Sequence, residues 1–279
     1  MGVLLALLAA LCYGSSDFTA GLGGRRSDPA AIAMIALPCG LLVAAIPVIA
    51  LSARLPSADS LWWGALSGIG NGVGTVALYR GLAGARMSVV APLSAVLSAG
   101  LPAVAGLLLG NHLSPVAWTG VVIAFPAVTL VAGHPTAGAG SRRTGIVSGI
   151  TAGAGFALLF IALDLAGTTH GAWPLLPSQS VSALIVLAWM VPARNRPSRD
   201  AWARAWRTGV GAGLLGGVAN LLYLFATGHG ELIVIAVVTA LYPAATVLLA
   251  RIVLHEHLSR SQIIGLAFAA AAVAAITIG

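Results

Sequence analysis

Charge is what this sequence has least of. Asp, Glu, Lys and Arg make up 8% of its 279 residues against 59% that are hydrophobic, too little polar surface to coat a soluble globule of this size. Water is therefore excluded as the main solvent of the fold. The two cysteines, Cys12 and Cys39, are too few for a disulfide framework or a thiolate metal site; both lie in apolar runs, where a small buried hydrophobe is the plainest role. No H-E-x-x-H, G-x-S-x-G or G-x-x-x-x-G-K-[ST] stretch occurs, so zinc hydrolysis, a nucleophile elbow and a P-loop ATPase lose their usual signatures. His255-Glu256-His257 would turn its two imidazoles to different faces of a helix. No metal, no cofactor and no enzymatic activity are expected. Segments of about ten residues that alternate apolar and polar, the mark of a membrane barrel, are also absent.

Apolar runs of about 20 residues fill the chain instead, each able to cross a hydrocarbon core of about 30 Å as a helix rising about 1.5 Å per residue. Ten can be drawn: about Gly2 to Leu22, Ala30 to Leu51, Leu61 to Leu82, Met87 to Leu109, Pro115 to Gly133, Thr144 to Leu165, Trp173 to Val191, Arg207 to Thr227, Leu232 to Leu254 and Ser261 to Ile278. The net charge of +7 would point to nucleic acid in a soluble protein. Here the basic residues sit in the gaps, where lipid headgroups account for them, and no nucleic-acid partner is expected. Met1-Gly2-Val3-Leu4 carries no positive leader, so the first run reads as a retained helix. Of the 14 basic residues, all but Arg54 fall in or beside gaps that follow odd-numbered spans. The positive-inside rule then puts those gaps in the cytoplasm and both termini outside.

The chain also says part of itself twice. Sliding it by 145 places lays Gly64, Gly68 and Gly72 on Gly209, Gly213 and Gly217, His112-Leu113-Ser114 on His257-Leu258-Ser259, and Gly120 on Gly265. Roughly 16 of about 68 positions agree, about twice the accidental level for this composition. Two homologous halves are read, 1–133 and 144–279, joined by a Gly/Ala/Ser/Pro-rich linker over 134–143. Five spans per half is an odd number, so the second half must enter the membrane from the opposite side. The expected fold is an all-α membrane protein of ten transmembrane helices arranged as two inverted five-helix repeats.

Few polar residues interrupt the spans, and these are the candidate substrate contacts. Asn71, Thr75 and Tyr79 follow one another at four-residue steps on the third span, and Asn220, Tyr223 and Thr227 form the matching stripe on the eighth. An unpaired amide in lipid costs a few kcal/mol, so Asn71 must face protein or a wet cavity. It makes an interhelical hydrogen bond or lines a pathway. Tyr13 and Asp17 share a face of the first span, and an ionisable group at that depth is a functional candidate; an ion pair with Arg80 or Arg25 would be its structural explanation. The glycine faces of the third and eighth spans read as helix-packing surfaces. Pro92 in the fourth span and Pro243 in the ninth free backbone carbonyls beside a cavity.

Tyr13-Gly14-Ser15-Ser16-Asp17-Phe18, together with the run from Leu241-Tyr242-Pro243 through His255-Glu256-His257-Leu258-Ser259 to Gly265 and the ten spans in two repeats, resembles the EamA-type branch of the drug/metabolite transporter superfamily. The resemblance covers essentially the whole chain. It departs from the family at Asn111, where a glutamate is usual after the fourth span, while Glu256 keeps it after the ninth; family members are also commonly drawn with both termini in the cytoplasm. The resemblance implies a cavity lined by the first, third, fourth, sixth, eighth and ninth spans, with the fifth and tenth peripheral. The function expected is export of a small metabolite or drug-like solute across the bacterial plasma membrane by alternating access. Its contacts are Tyr13, Asp17, Asn71, Thr75, Tyr79, Asn220 and Tyr223, its partners are the solute and the lipid bilayer, and a homodimer is compatible with it. An intramembrane lipid-modifying enzyme and a non-transporting scaffold are the rival classes.

Overall fold

The computed structural model describes residues 1–51, 55–84, 87–132, 142–190, 197–255 and 257–279; within its helices the side chains of residues 51, 79, 81–84, 87–89, 92 and 142 lie outside that description. Among the described residues eleven helices follow in order: α1 (Gly2–Gly24), α2 (Pro29–Leu51), α3 (Ala58–Gly84), α4 (Met87–Leu108), α5 (Pro115–Ala132), α6 (Arg142–Ala166), α7 (Leu175–Met190), α8 (Arg199–Thr227), α9 (Leu232–Thr239), α10 (Tyr242–Val253) and α11 (Arg260–Ile278). Among the described residues there is no strand. Seven spans are long and apolar enough to cross a membrane by length and composition, counting α9 and α10 as one, and two shorter apolar helices lie within α4 and α7. Most of the expected linker lies outside the described residues, and α6 starts at Arg142.

The ten spans expected from the sequence are present, with two differences. The ninth is broken: Pro243 has no N–H to give the Thr239 carbonyl, and Leu241 and Ala244 instead close tight turns on Val238 and Leu241. α8 begins eight residues before the expected Arg207, because the Ser198 hydroxyl accepts the Ala201 N–H and caps the helix. The polar residues Asp200 and Arg204 in those turns kept them out of an apolar count.

Glycines decide which helices meet. A Cβ on Gly68 would collide with the Ser178 carbonyl of α7, and one on Gly213 with the Ala36 carbonyl of α2. Their neighbours repeat the arrangement: Gly64 meets Pro174 and Gly72 meets Ile185, while Gly209 meets Ile32 and Gly217 meets Val43. The partners keep one register throughout, since Pro174, Ser178 and Ile185 stand as far apart as Ile32, Ala36 and Val43. Elsewhere the pairings also recur with the halves exchanged. α3 packs on α6 as α8 packs on α1, and α4 packs on α6 as α9 and α10 pack on α1. Gly120 of α5 lies on Ala272 and Ile276 of α11, and Gly265 of α11 lies on Leu130 and Val131 of α5.

The direction of these contacts shows the inversion. α3 and α7 run the same way, since Gly64 meets Pro174 near the start of α7 and Gly72 meets Ile185 farther on. α2 precedes α3 as a consecutive span and runs opposite to it, so α7 points opposite to α2, its own counterpart. The halves are thus inverted repeats. Gly2 meets the His229 carbonyl and Gly279 meets Ser114, which places both described ends at one face of the bundle, here called the terminal face. At the other, basic face, Ser27 Oγ donates to the Ala201 carbonyl at 2.6 Å and Arg204 Nε donates to the Arg26 carbonyl at 3.0 Å.

The repeated His-Leu-Ser triplet has a structural cause. Ser114 accepts the Ala117 N–H at 3.1 Å and so caps α5, and Ser259 caps α11 through a reciprocal box with Gln262. Gly110 and His255, which the 145-place slide pairs, both take positive φ, 86° and 54°, so the same left-handed turn precedes each cap.

Two expected outcomes test this packing. Gly68→Val and Gly213→Val lower the thermal midpoint of the detergent-purified protein steeply or abolish folded yield, whereas Gly21→Ala, with nothing within 4 Å of its Cβ position, leaves it unchanged or slightly higher. Ser259→Ala costs about 1 kcal/mol in the same melt.

Candidate functional site

The inner face of α1 changes character halfway along. Ala6 and Ala10 are 0% and 5% exposed; on the same side Tyr13 is half-buried, and Asp17 and Gly21 are exposed. Leu4, Leu8 and Leu11, on the opposite side of the helix, form its lipid face. A face that turns from buried to open while pointing into the bundle lines a vestibule. This one opens toward the basic face and closes near Tyr13.

The floor of the vestibule is aromatic and drawn from both halves. Tyr13 donates from its hydroxyl to Asn220 Oδ1 at 2.9 Å, and Asn220 donates back along α8 to the Gly216 carbonyl at 2.9 Å. The Tyr13 ring meets Phe160 edge-on at 6.1 Å and lies 6.3 Å from Tyr242. Phe160 is 4.6 Å from the Tyr223 ring, whose hydroxyl donates to the Phe160 carbonyl at 3.1 Å. Tyr223 and Leu224 are fully buried, as are nearly all residues of α9. The terminal side is thereby sealed. Only Ala245 is buried in α10, beyond the break, so the ninth span is half plug and half vestibule wall. Asn111 tightens the seal by accepting the Ile233 N–H at 3.2 Å, which caps α9, whose own N-cap Glu231 makes no side-chain cap bond.

Against this geometry stand the comparisons with known proteins. The profile of the EamA-like transporter family matches residues 1–133 and again residues 143–278. The chain belongs to the EamA-like transporter family. A crystal structure that is 18% identical superposes on this EamA chain with a TM-score of 0.75, covering 99% of this chain and 96% of the other; at that identity the likeness shows the fold. No curated protein matches the sequence. The chain is a multi-pass membrane protein of a transporter family.

The residues singled out from the sequence have separate places in this EamA fold. Tyr13, Asp17 and Asn220 gather at the vestibule floor. Tyr223 stands behind them in the seal. Asn71 donates to Ser182 Oγ of α7 at 3.1 Å, beside the Ser67–Ser178 bond of 2.7 Å, so the interhelical bond weighed for it is made. Thr75 is half-buried one turn farther along α3, and the Tyr79 side chain lies outside the described residues. The ion pair weighed for Asp17 is not made among the described residues: the Arg80 guanidinium lies over the Trp189 ring at 5.7 Å. Sequence reasoning passed over Phe160 and the ring of Tyr242. Phe160 sits in unbroken apolar sequence and Tyr242 enters the sequence reading only for its place beside Pro243; the cross-half geometry brings both rings to Tyr13. A cavity of about 320 Å³ between α2 and α7, lined by residues such as Met34, Leu41 and Leu187, is apolar and remote from this cluster.

Truncating the two phenols separates the floor from the seal. Tyr13→Phe takes the donor from the amide oxygen of buried Asn220 and costs about 1–3 kcal/mol, while Tyr223→Phe removes only a second bond from the Phe160 carbonyl, which keeps its partner within α6, and costs about 0.5–1.5 kcal/mol. The thermal midpoint in detergent should therefore fall further for Tyr13→Phe.

Proposed function

We propose that this protein moves a small metabolite or drug-like solute across a bacterial plasma membrane by alternating access, without catalysing a reaction. The solute enters the vestibule between the halves and meets Tyr13, Asp17 and Asn220 at its floor; Tyr223 and Asn71 hold the helices that form the site, with Thr75 and Tyr79 along the α3 wall. The observation that carries the reading is the passage from buried to open along one face of α1, combined with an inverted repeat whose most extensive cross-half pairings have counterparts. A fold of that kind can exchange which end is sealed by letting each half take up the other's arrangement. Here α6 and α8 meet through Phe160 and Tyr223 at the terminal face, and α1 and α3 are their counterparts at the basic face. Closing that pair and opening the first would present the same floor to the other side. The arginine-rich face is the cytoplasmic one by the positive-inside rule, so this is the inward-open arrangement. Transport of this kind needs no acid–base pair or nucleophile, and membership of a transporter family favours it over an intramembrane enzyme.

Cysteine accessibility checks it. In a background lacking Cys12 and Cys39, cysteines at Asp17 and Gly21 should react with an impermeant thiol reagent applied at the basic face, and those at Ala6 and Ala10 should not. A solute that is carried should shift labelling toward Ala10 from the terminal face. Equal labelling at all four positions, with or without solute, would remove the gated vestibule. A reporter fused at Gly279 should read outside; a cytoplasmic signal would reverse the side assignment.

A further inference from the structure

We infer that Asp17, with the rings of Tyr13 and Tyr242, binds the positive group of an organic cation. The inference rests on the vestibule described above and names the chemistry of the solute that the transport reading leaves open. Asp17 and Asp164 are the only acidic residues inside the apolar spans, and Asp17 is the one exposed to the vestibule. Among the described residues no side chain makes a hydrogen bond or ion pair with it. Three arginines of the basic end are turned to other work: Arg80 lies over Trp189, Arg207 over Trp206, and Arg204 donates to the Arg26 carbonyl. A carboxylate held among apolar helices is tolerated when it has a cation to face. Among the described residues none is paired with Asp17, and a cationic solute in the vestibule would supply it.

The surroundings fit a cation better than another partner. One helical turn from Asp17 lies the Tyr13 ring, 6.3 Å from the ring of Tyr242. Ring faces attract a desolvated ammonium and do little for a carboxylate. The Tyr13 hydroxyl is already committed to Asn220, which holds that ring in place and removes its O–H as a donor to an anion. Thr246, on the same wall, gives its hydroxyl to the Gly14 carbonyl at 3.1 Å. The floor therefore offers negative charge and ring faces, with few free donors. An anionic solute would meet an unscreened like charge, and a neutral one would leave Asp17 unpaired.

Binding and flux are measured separately. Tetraethylammonium and phenyltrimethylammonium, with benzenesulfonate and benzyl alcohol as anionic and neutral counterparts, are titrated against the purified full chain by calorimetry, and the labelled ammonium ions are followed into liposomes. At least one cation should bind tenfold or more tightly than both counterparts. Asp17→Asn should weaken it at least tenfold and leave benzyl alcohol unchanged. Tyr242→Leu should weaken it several-fold where Tyr242→Phe, which keeps the ring, does not. If Asp17→Asn fails to fold, Asp17→Glu, expected to retain cation preference, and the two Tyr242 variants carry the test. Indifference to charge, preference for the anion, or cation binding unmoved by the Asp17 and Tyr242 variants would overturn the inference. Cation binding with no flux would support the site and sink the transport reading; flux of an anion or neutral solute at wild-type rate in Asp17→Asn would do the reverse.

Discussion

In lipid a leucine gains nothing by leaving its solvent for a neighbouring helix, because the solvent is as apolar as the leucine. Helices in this molecule are held instead by closeness: backbone laid against backbone along rows of glycine, with the dispersion energy of many short contacts. The approach of α3 to α7 and of α8 to α2 is the clearest case, since Gly68 and Gly213 lie directly on the carbonyls of Ser178 and Ala36. Everything else is positioned from these two seams. They set the depth at which α3 and α8 stand, and α8 in turn carries Asn220 and Tyr223 to the level of Tyr13 and Phe160.

Against that symmetric frame, several asymmetries fall at the vestibule and its seal. The ninth span is interrupted at Pro243, and its two pieces do different jobs: α9 is sealed among its neighbours while α10 borders the open side. Tyr223 closes its end with a ring and a hydrogen bond, where the 145-place slide puts Leu78 at the other. Asn111 caps α9 from the other half, acting as a neutral acceptor for a backbone N–H. A pseudo-symmetric scaffold with unlike residues at its two ends need not look the same from both sides, and this structure is open toward the arginines.

The scaffold was legible in the sequence because it is written in length, period and repetition: the apolar runs, the odd number of spans per half, and the doubled glycines and His-Leu-Ser. The caps at Ser114 and Ser259 explain in retrospect why that triplet repeats. The site was legible only in its polar members, Tyr13, Asp17 and Asn220, which stand out against apolar neighbours. Phe160 and Tyr242 could not stand out, since an aromatic residue in a lipid-spanning helix is ordinary until the packing shows what its ring touches. Asn71 shows the converse limit. Sequence required that its amide be satisfied, and both a cavity and a neighbouring helix could do that; only the approach of α7 places Ser182 at 3.1 Å. The break in the ninth span was marked by its proline, but whether a proline bends a helix or divides it depends on what surrounds the freed carbonyl.

The exchange of partners between halves bears on how such a chain is made. The most extensive pairings all join a helix of the first half to one of the second: α3 to α6 and α7, α1 and α2 to α8, α4 to α6 and α5 to α11. A ribosome delivers the first five helices before any of these partners exists. During synthesis the nascent chain thus sits in the bilayer with its glycine grooves uncovered and the Asn71 amide lacking the Ser182 hydroxyl, kept company only by lipid and the insertion machinery. Assembly is a late event, completed when the second half threads in from the opposite side and every groove finds its occupant. The two halves are then best regarded as complementary castings of one mould, neither of which has an inside until the other arrives.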